Sequence, residues 1–187
     1  FFEIFVLDAR YWIGLEWYEE ILGSGRFWAS LGRSSLFSIC ILSIEIPLGI
    51  AIALCIPRNR MWVGIALAVV SLPLLVPWNM IPSLWLGLLN PQTGVLRYIL
   101  PALGWPADWK GSVPHTWAVL IVMDVWHWTA LVTILCYSAL TTIPTSHYQA
   151  AAIDRASPWQ VFRFIQLPML RHVLLMAVLL RFMDSFM

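Results

Sequence analysis

The chain has 187 residues, of which 60% are hydrophobic and only 11% are charged, and its mean hydropathy is +0.79. Because soluble domains carry roughly 25% charged residues, this composition excludes an ordinary soluble domain and predicts residence in a membrane. The formal net charge of +1 argues against a nucleic-acid partner, which requires a clustered basic surface. Three cysteines, Cys40, Cys55 and Cys136, all lie within apolar runs, which favours small core residues over disulfides or metal ligands.

Residues 1–33 are fairly polar and predict an exterior segment that leads into the first span. Within them, the run WYEEILGSGRFWASLG predicts a short helix, a Gly-Ser-Gly turn and an amphipathic approach to the bilayer. The first span is predicted at 36–56, a run long enough to cross a core about 30 Å thick. Glu45 is the only charge in that run, and it either bonds to a neighbouring helix or faces a cavity.

The next run, 61–89, has no charge but contains three prolines, which predict a kinked or broken span. Residues 90–115 are rich in Pro, Gly and Trp and predict a structured loop. A third span is predicted at 117–140, and 172–187 predicts the start of a fourth. The chain therefore divides into the exterior segment and a transmembrane domain at 34–187.

Ionisable groups within spans cost about 2.5–3.5 kcal/mol on insertion scales, so each of them needs a physical reason. Asp124 and His127 share a helix face, which fits either a polar lining of a transport path or a buried pair that fixes helix packing. In the first case, Trp126 or Trp128 would stack on a sugar ring. Arg181 and Asp184 have the same i, i+3 spacing and are predicted to pair in a structural role. The candidate path residues are Glu45, Asp124, Trp126, His127, Trp128 and Asp184.

Positive charges in the short loops predict the orientation of the chain. Arg58 and Arg60 follow the first span, and three further arginines lie between the third and fourth spans. The positive-inside rule therefore places 57–60 and 141–171 in the cytoplasm.

Residues 148–168 form a polar, helix-prone island whose three consecutive alanines favour helix and keep its surface low. Ser157 and Pro158 suit the start of a second helix, and Pro168 predicts its end before the next span. An apolar stripe at i, i+3 and i+6 is formed by Trp159, Phe162 and Ile165. From the pattern alone, the island is either an ordinary interfacial loop or a docking element for another protein.

The spacing within this island resembles that of the permease subunits of bacterial ABC importers. Their cytoplasmic pattern is E-A-A, three residues, Gly, nine residues, then I-x-L-P. The corresponding positions here are Gln149-Ala150-Ala151, Arg155 and Ile165-Gln166-Leu167-Pro168. Residues 14–18, 90–96, 124–129 and 179–186 resemble the sugar-importer branch of the same family.

Two residues depart from the family pattern. Gln149 stands in place of Glu, which removes a charge but keeps a hydrogen-bonding amide. Arg155 stands in place of a Gly that separates two short helices, and a non-glycine residue with positive φ costs about 1 kcal/mol or more. We therefore expect either a remodelled turn or a helical geometry at Arg155.

The resemblance implies an all-α, polytopic helix bundle of the type I ABC importer permease kind, with about four spans present and one more expected beyond each end. It implies a transport subunit for a carbohydrate or polyol in the bacterial inner membrane, with ATP hydrolysed by a partner chain. The implied partners are ABC ATPase subunits, a second identical or homologous permease, an exterior solute-binding protein and the lipid bilayer. A loop at about 141–170 would couple to the ATPase through Gln149, Ala150, Ala151, Asp154, Arg155, Ala156, Phe162, Ile165, Leu167 and Pro168.

Two other function classes stay open from the residues alone. A secondary transporter usually shows repeated halves, and this sequence has a single proline-broken run and no repeat. An intramembrane enzyme would need paired catalytic groups, for which Asp124 and Asp184 are the candidate pair. The sequence has no phosphate-binding loop and no metal-ligand spacing, so no catalytic residue, cofactor or metal is expected. A permease for a polyamine, peptide or anion is also compatible with the coupling pattern.

Overall fold

The computed structural model describes residues 2–4, 10–12, 14–57, 60–104 and 109–186. Arg58, which belongs to the predicted cytoplasmic loop at 57–60, lies outside these residues. A short antiparallel strand pair, β1 (Phe2–Ile4) and β2 (Arg10–Trp12), precedes the helices and was not predicted. The α-helices are α1 (Glu16–Gly23), α2 (Gly25–Cys55), α3 (Arg60–Ser71), α4 (Ile81–Leu88), α5 (Val113–Thr141), α6 (Thr145–Ile153), α7 (Pro158–Val161) and α8 (Leu167–Asp184).

Among the residues that the structure describes, three helical stretches are long and apolar enough to cross a membrane: α2, α5 and the continuous segment Pro158–Asp184. A fourth crossing is possible where Met61–Leu75 and Trp78–Leu88 meet at an angle of 69°. The predicted helical membrane fold is therefore confirmed. The first span begins earlier than 36, because the amphipathic residues after the Gly-Ser-Gly turn are already helical.

The broken span follows from its prolines. Pro73 lies in a 3₁₀ turn at Leu72–Leu75, Pro77 precedes a second one at Trp78–Met80, and Pro82 occupies the first turn of α4. Each proline lacks an N–H donor and clashes with the preceding helical turn, so the chain changes direction here. The prediction of a broken span is confirmed. The loop that follows is structured, with 3₁₀ turns at Val95–Tyr98, Pro101–Leu103 and Trp109–Gly111.

The prediction that Pro168 ends a helix was wrong. Phe162–Gln166 forms a π turn that joins α7 directly to α8, and Pro168 lies within the first turn of α8. A π turn is wider than an α turn, which gives the proline ring room against the preceding carbonyls. The fourth span therefore begins well before 172 and is continuous with the polar island at 148–168.

Helices α2, α5 and α8 pack together around a small apolar cluster formed by Ala53, Val132, Cys136 and Leu170. Gly49 allows α2 to approach α5, since a Cβ at this position would lie 2.6 Å from Val132 Cγ1. Cys136 is a core residue, as predicted. Cys55 is exposed and Cys40 is half-buried, so the core prediction was wrong for Cys55.

We expect Gly49→Ala to lower the thermal stability of the detergent-purified protein. The new methyl group would force α2 and α5 apart, and overpacking of this kind costs about 1–3 kcal/mol. Gly32→Ala is the matched control, because Gly32 lies in the same helix and has no atom within 4 Å of its ideal Cβ position. Equal melting temperatures for the two variants would contradict the close approach.

Candidate functional site

A buried guanidinium lies at the centre of the three packed spans. Arg181 of α8 is 0% exposed, and its Nε donates to both carboxylate oxygens of Glu45 at 3.2 Å. Its Nη1 donates to Asp184 at 2.5 Å, and its Nη2 donates to Asp124. The Cζ atom lies 4.4 Å from the centroid of the Trp128 ring. We call Arg181, Glu45, Asp124 and Asp184 the charge network.

The charge network joins all three spans, because Glu45 belongs to α2, Asp124 to α5 and Arg181 to α8. Arginine suits this position since its planar group presents five N–H donors in a fixed fork. Glu45 is fully buried, whereas the Asp124 and Asp184 side chains are 22% and 40% exposed. Carboxylates outnumber the cation by two, so the exposed side of the network is rich in hydrogen-bond acceptors.

Several sequence predictions are decided by this geometry. The predicted pair of Arg181 and Asp184 is confirmed, and Glu45 bonds to a neighbouring helix. The alternative of a hydrogen-bonded Asp124–His127 pair was wrong, because Asp124 binds Arg181 instead. His127 is 4% exposed, and among the described residues its Nδ1 has no hydrogen-bond partner.

The two candidate tryptophans have different surroundings. Trp128 lies against the guanidinium on one side and meets the His127 ring edge-on at a centroid distance of 5.0 Å. Trp126 is 37% exposed and meets Trp85 edge-on at 5.8 Å. Around Arg181, the structure thus brings together Glu45, Asp124, Trp128 and Asp184 of the predicted path, while Trp126 packs against α4.

Sequence reasoning did not include Arg181 among the path residues. The available signal was the imbalance of charge within the spans, where acids outnumber bases. Since an uncompensated carboxylate is expensive in a membrane, a nearby arginine is the expected common partner.

Residues 145–161, which contain most of the polar island, form a helix–turn–helix that we call the coupling element after the role predicted for it. Helix α6 ends in a pair of hydrogen bonds typical of a Schellman motif, from Arg155 N to Ala152 O at 3.2 Å and from Ala156 N to Ala151 O at 2.9 Å. Arg155 itself is left-handed, with φ of +53°. The expectation of a remodelled turn or a helical Arg155 was therefore wrong.

The second helix of the coupling element begins at a capping box. Gln160 N donates to Ser157 Oγ at 3.3 Å, and Ser157 N donates to Gln160 Oε1 at 2.6 Å. Pro158 occupies the first turn, where its missing donor costs nothing. The predicted helix start at Ser157 and Pro158 is confirmed. These bonds join residues that are close in sequence, so the turn between α6 and α7 is defined locally.

The candidate coupling residues differ in exposure. Ala151 is only 8% exposed and lines a depression between α6 and the residues that follow the turn, so a bulky residue there would fill part of that depression. Ala156, Phe162 and Ile165 are half-buried. The exposed candidates are Gln149, Ala150, Asp154, Arg155, Leu167 and Pro168.

The coupling residues predicted from the sequence do not include the most exposed apolar side chains of this region. Ile153 is 82% exposed, Trp159 63% and Phe164 70%. For Ile153 the sequence does contain an indication of exposure, because this apolar residue directly precedes Asp154 at the end of a polar helix. Large exposed apolar side chains next to polar residues indicate a surface that meets another protein or the membrane.

A cavity of about 380 Å³ separates the coupling element from the ends of α2 and α5. Its lining includes Leu54, Thr141, Tyr148 and Gln166, and Gln166 Nε2 donates to the Tyr148 hydroxyl at 3.4 Å across it. The loops that follow α2 and α5 therefore lie at the same end of the bundle as the coupling element.

The sequence matches a known protein family and individual members of it. The family model for the binding-protein-dependent transport system inner membrane component matches residues 45–187. The chain is 32% identical over 184 residues to the trehalose/maltose transport system permease protein MalF of Thermococcus litoralis, covering 98% of this chain and 62% of that protein. It is 32% identical over 171 residues to the diacetylchitobiose uptake system permease protein DasB of Streptomyces coelicolor, covering 87% and 51%.

The fold has a counterpart among solved structures. The crystal structure of a bacterial ABC transporter involved in the import of the acidic polysaccharide alginate matches with a TM-score of 0.77 at 22% identity. The match covers 91% of this chain and 60% of that one. The chain thus spans between about half and three fifths of the length of these relatives.

We expect Arg181→Met to destabilise the protein by about 3–5 kcal/mol, because it leaves Glu45 buried without a counter-ion. Asp184→Asn should cost about 1 kcal/mol or less, since it alters the most exposed pair and leaves the other two intact. Thermal unfolding in detergent measures both. Adding Glu45→Gln to Arg181→Met should recover part of the loss, and the absence of any recovery would show that the pair with Glu45 is not the main contribution.

We expect Arg155→Gly to stabilise the turn of the coupling element by about 1 kcal/mol, because glycine adopts positive φ without the steric cost of a side chain. Hydrogen exchange of the amides at 155 and 156 should slow accordingly. Asp154→Gly is the matched control, since Asp154 has φ of −76° and a glycine there only adds flexibility. Exchange rates that change in the same direction for both variants would contradict the left-handed geometry.

Proposed function

The chain belongs to the family of binding-protein-dependent transport system inner membrane components, and we propose that it is the permease subunit of an ATP-driven importer for a carbohydrate or polyol. The proposal places 34–187 in the transmembrane domain, 1–33 and 90–115 outside the cell, and 57–60 and 141–171 in the cytoplasm. The membrane is the bacterial inner membrane. The partners are two ATPase subunits, a second identical or homologous permease and an exterior solute-binding protein.

The observation that carries the proposal is the left-handed turn at Arg155. This residue occupies the position at which the importer permeases have glycine, and it takes the conformation for which glycine is suited. The helix–turn–helix geometry is therefore kept although the residue differs. Around this turn, Ile153 and Trp159 expose apolar side chains that a cleft of an ATPase subunit would cover.

Movement of the coupling element has a direct route to the transport path. Helix α7 continues through the π turn into α8, so a displacement of the element moves a single helical segment, Pro158–Asp184. At the far end of that segment, about 25–30 Å away, Arg181 binds α2 and α5. Closure of the ATPase would thereby favour one of two arrangements of the spans, which is a population shift.

The substrate class is supported by the chemistry of the charge network and by the relatives. Asp124 and Asp184 expose carboxylate oxygens that accept hydrogen bonds from hydroxyl groups, and the Trp128 ring lies beside the same guanidinium. The surplus of carboxylates disfavours an anionic substrate. The same surplus favours a cationic one, so a polyamine is the second candidate. The names of MalF and DasB, which concern disaccharide transport, favour the carbohydrate.

The test is co-purification of the full-length permease with its ATPase and second permease, using a tag on this chain alone. We expect ATP hydrolysis in the eluate, and we expect Ile153→Asp to abolish it. Loss of a docked apolar anchor costs about 2 kcal/mol or more, which is roughly a 30-fold weaker ATPase complex.

Val95→Asp is the matched control, because Val95 is a 67% exposed apolar residue in the loop after α4. It should leave hydrolysis unchanged. Size-exclusion profiles identical to that of the unsubstituted protein confirm that both variants are folded. If the Ile153→Asp variant co-purifies with the same amount of ATPase subunit as the unsubstituted protein, docking through this surface is wrong.

The same reconstituted complex distinguishes the substrates. A binding protein loaded with trehalose or maltose should stimulate hydrolysis, whereas one loaded with spermidine should not. Stimulation by the polyamine alone would replace the carbohydrate with the second candidate, and a complex that transports without any ATPase would support a secondary transporter.

A further inference from the structure

Helix α1 is a short helix with two chemically different faces. At 100° per residue, its acidic side chains fall on one side and its large apolar side chains fall on the other. The acidic face contains Glu16, Glu19 and Glu20. The apolar face contains Trp17, Tyr18, Ile21 and Leu22. These four apolar residues are between 45% and 54% exposed, and no residue of α1 is buried.

The position of α1 places it where a span meets the membrane surface. Only Ser24 separates it from α2, and the extended backbone of Ser24 (φ −79°, ψ 116°) interrupts the helix. Trp28 Nε1 of α2 donates to Leu22 O at 2.7 Å, which ties the end of α1 to the first turn of the span. Helix α1 thus lies at the end of the bundle opposite the coupling element.

The apolar surface continues from α1 into the span. Trp28 and Leu31 are 54% and 36% exposed, and Leu36 and Ile39 further along α2 are 55% and 62% exposed. Large apolar side chains exposed on a spanning helix face the acyl chains of the bilayer. Helix α1 is bound to the first turn of α2 and has its own apolar face. It is therefore positioned to contact the same lipid.

We propose that α1 is an interfacial helix that lies in the headgroup layer of the bilayer, with Trp17, Tyr18, Ile21 and Leu22 directed toward the acyl chains. Its three glutamates remain in water. Tryptophan and tyrosine prefer this depth because their rings are apolar and carry one polar group each. The apolar face thus contacts lipid, and the acidic face contacts water.

The composition of α1 also sets the kind of lipid contact. Helices that bind membranes through charge carry lysine and arginine on the polar face and depend on anionic lipids. Helix α1 carries only acidic residues there. Its contact with the bilayer therefore depends on apolar burial and does not require anionic lipid.

Site-directed spin labelling of the full-length protein in nanodiscs tests the proposal. In a background with Cys40, Cys55 and Cys136 replaced by alanine, Ile21→Cys and Glu19→Cys place a nitroxide on opposite faces of the same helix. We expect the label at 21 to be more accessible to oxygen and the label at 19 to be more accessible to a water-soluble nickel chelate. The contrast should be the same in zwitterionic nanodiscs and in nanodiscs with added anionic lipid.

Other outcomes would overturn the proposal in recognisable ways. High chelate accessibility at both positions would place α1 in water, and low accessibility to both reagents at 21 would mean that another protein covers the face.

If the cysteine-free background fails to fold, brominated-lipid quenching in the native background replaces it. There, Trp17→Phe should remove a strongly quenched component of the fluorescence, and an unchanged quenched fraction would contradict the proposal. Neither readout depends on ATPase coupling.

Discussion

The packing of the spans depends on one buried arginine. Arg181 is fully buried among the three packed helices, and each of its three nitrogen groups binds a carboxylate. Two of these carboxylates come from other helices, so α8 cannot move independently of α2 and α5 without separating opposite charges in a low dielectric. Buried pairs of this kind add specificity of arrangement more than net stability. The charge network therefore defines which arrangements of the three helices are permitted.

The coupling element depends on a different kind of interaction. Its geometry comes from hydrogen bonds between residues that are close in sequence, namely the Schellman pair around Arg155 and the capping box at Ser157. Such bonds form wherever the local sequence permits them, which lets the element act as a rigid body. The π turn then connects this rigid body to α8 without a flexible loop. A locally hydrogen-bonded turn at one end and a buried ionic contact at the other are the features that the proposed coupling would use.

Sequence reasoning was accurate where the physics is local. The break at the three prolines, the helix start at Ser157 and the i, i+3 pair of Arg181 with Asp184 all depend on residues within one or two turns of each other. It failed at Pro168, because the preceding turn widened to accept the proline, and at Arg155, because two hydrogen bonds offset the cost of positive φ. It left the role of Ala151 as a prediction, since a small residue serves either an external groove or internal packing and the pattern is the same for both.

The sequence by itself determined that this chain resides in a membrane, at which positions its helices break, and which family its polar island at 148–168 resembles. These conclusions follow from hydropathy, proline chemistry and spacing, all of which can be read along one chain. Only the tertiary structure decided that Glu45, Asp124 and Asp184 share a single guanidinium, and that Gly49 is the point where two spans touch. Residues 45 and 181 are 136 positions apart. No periodicity connects them, because contact between helices is set by how their faces pack and not by their order in the chain.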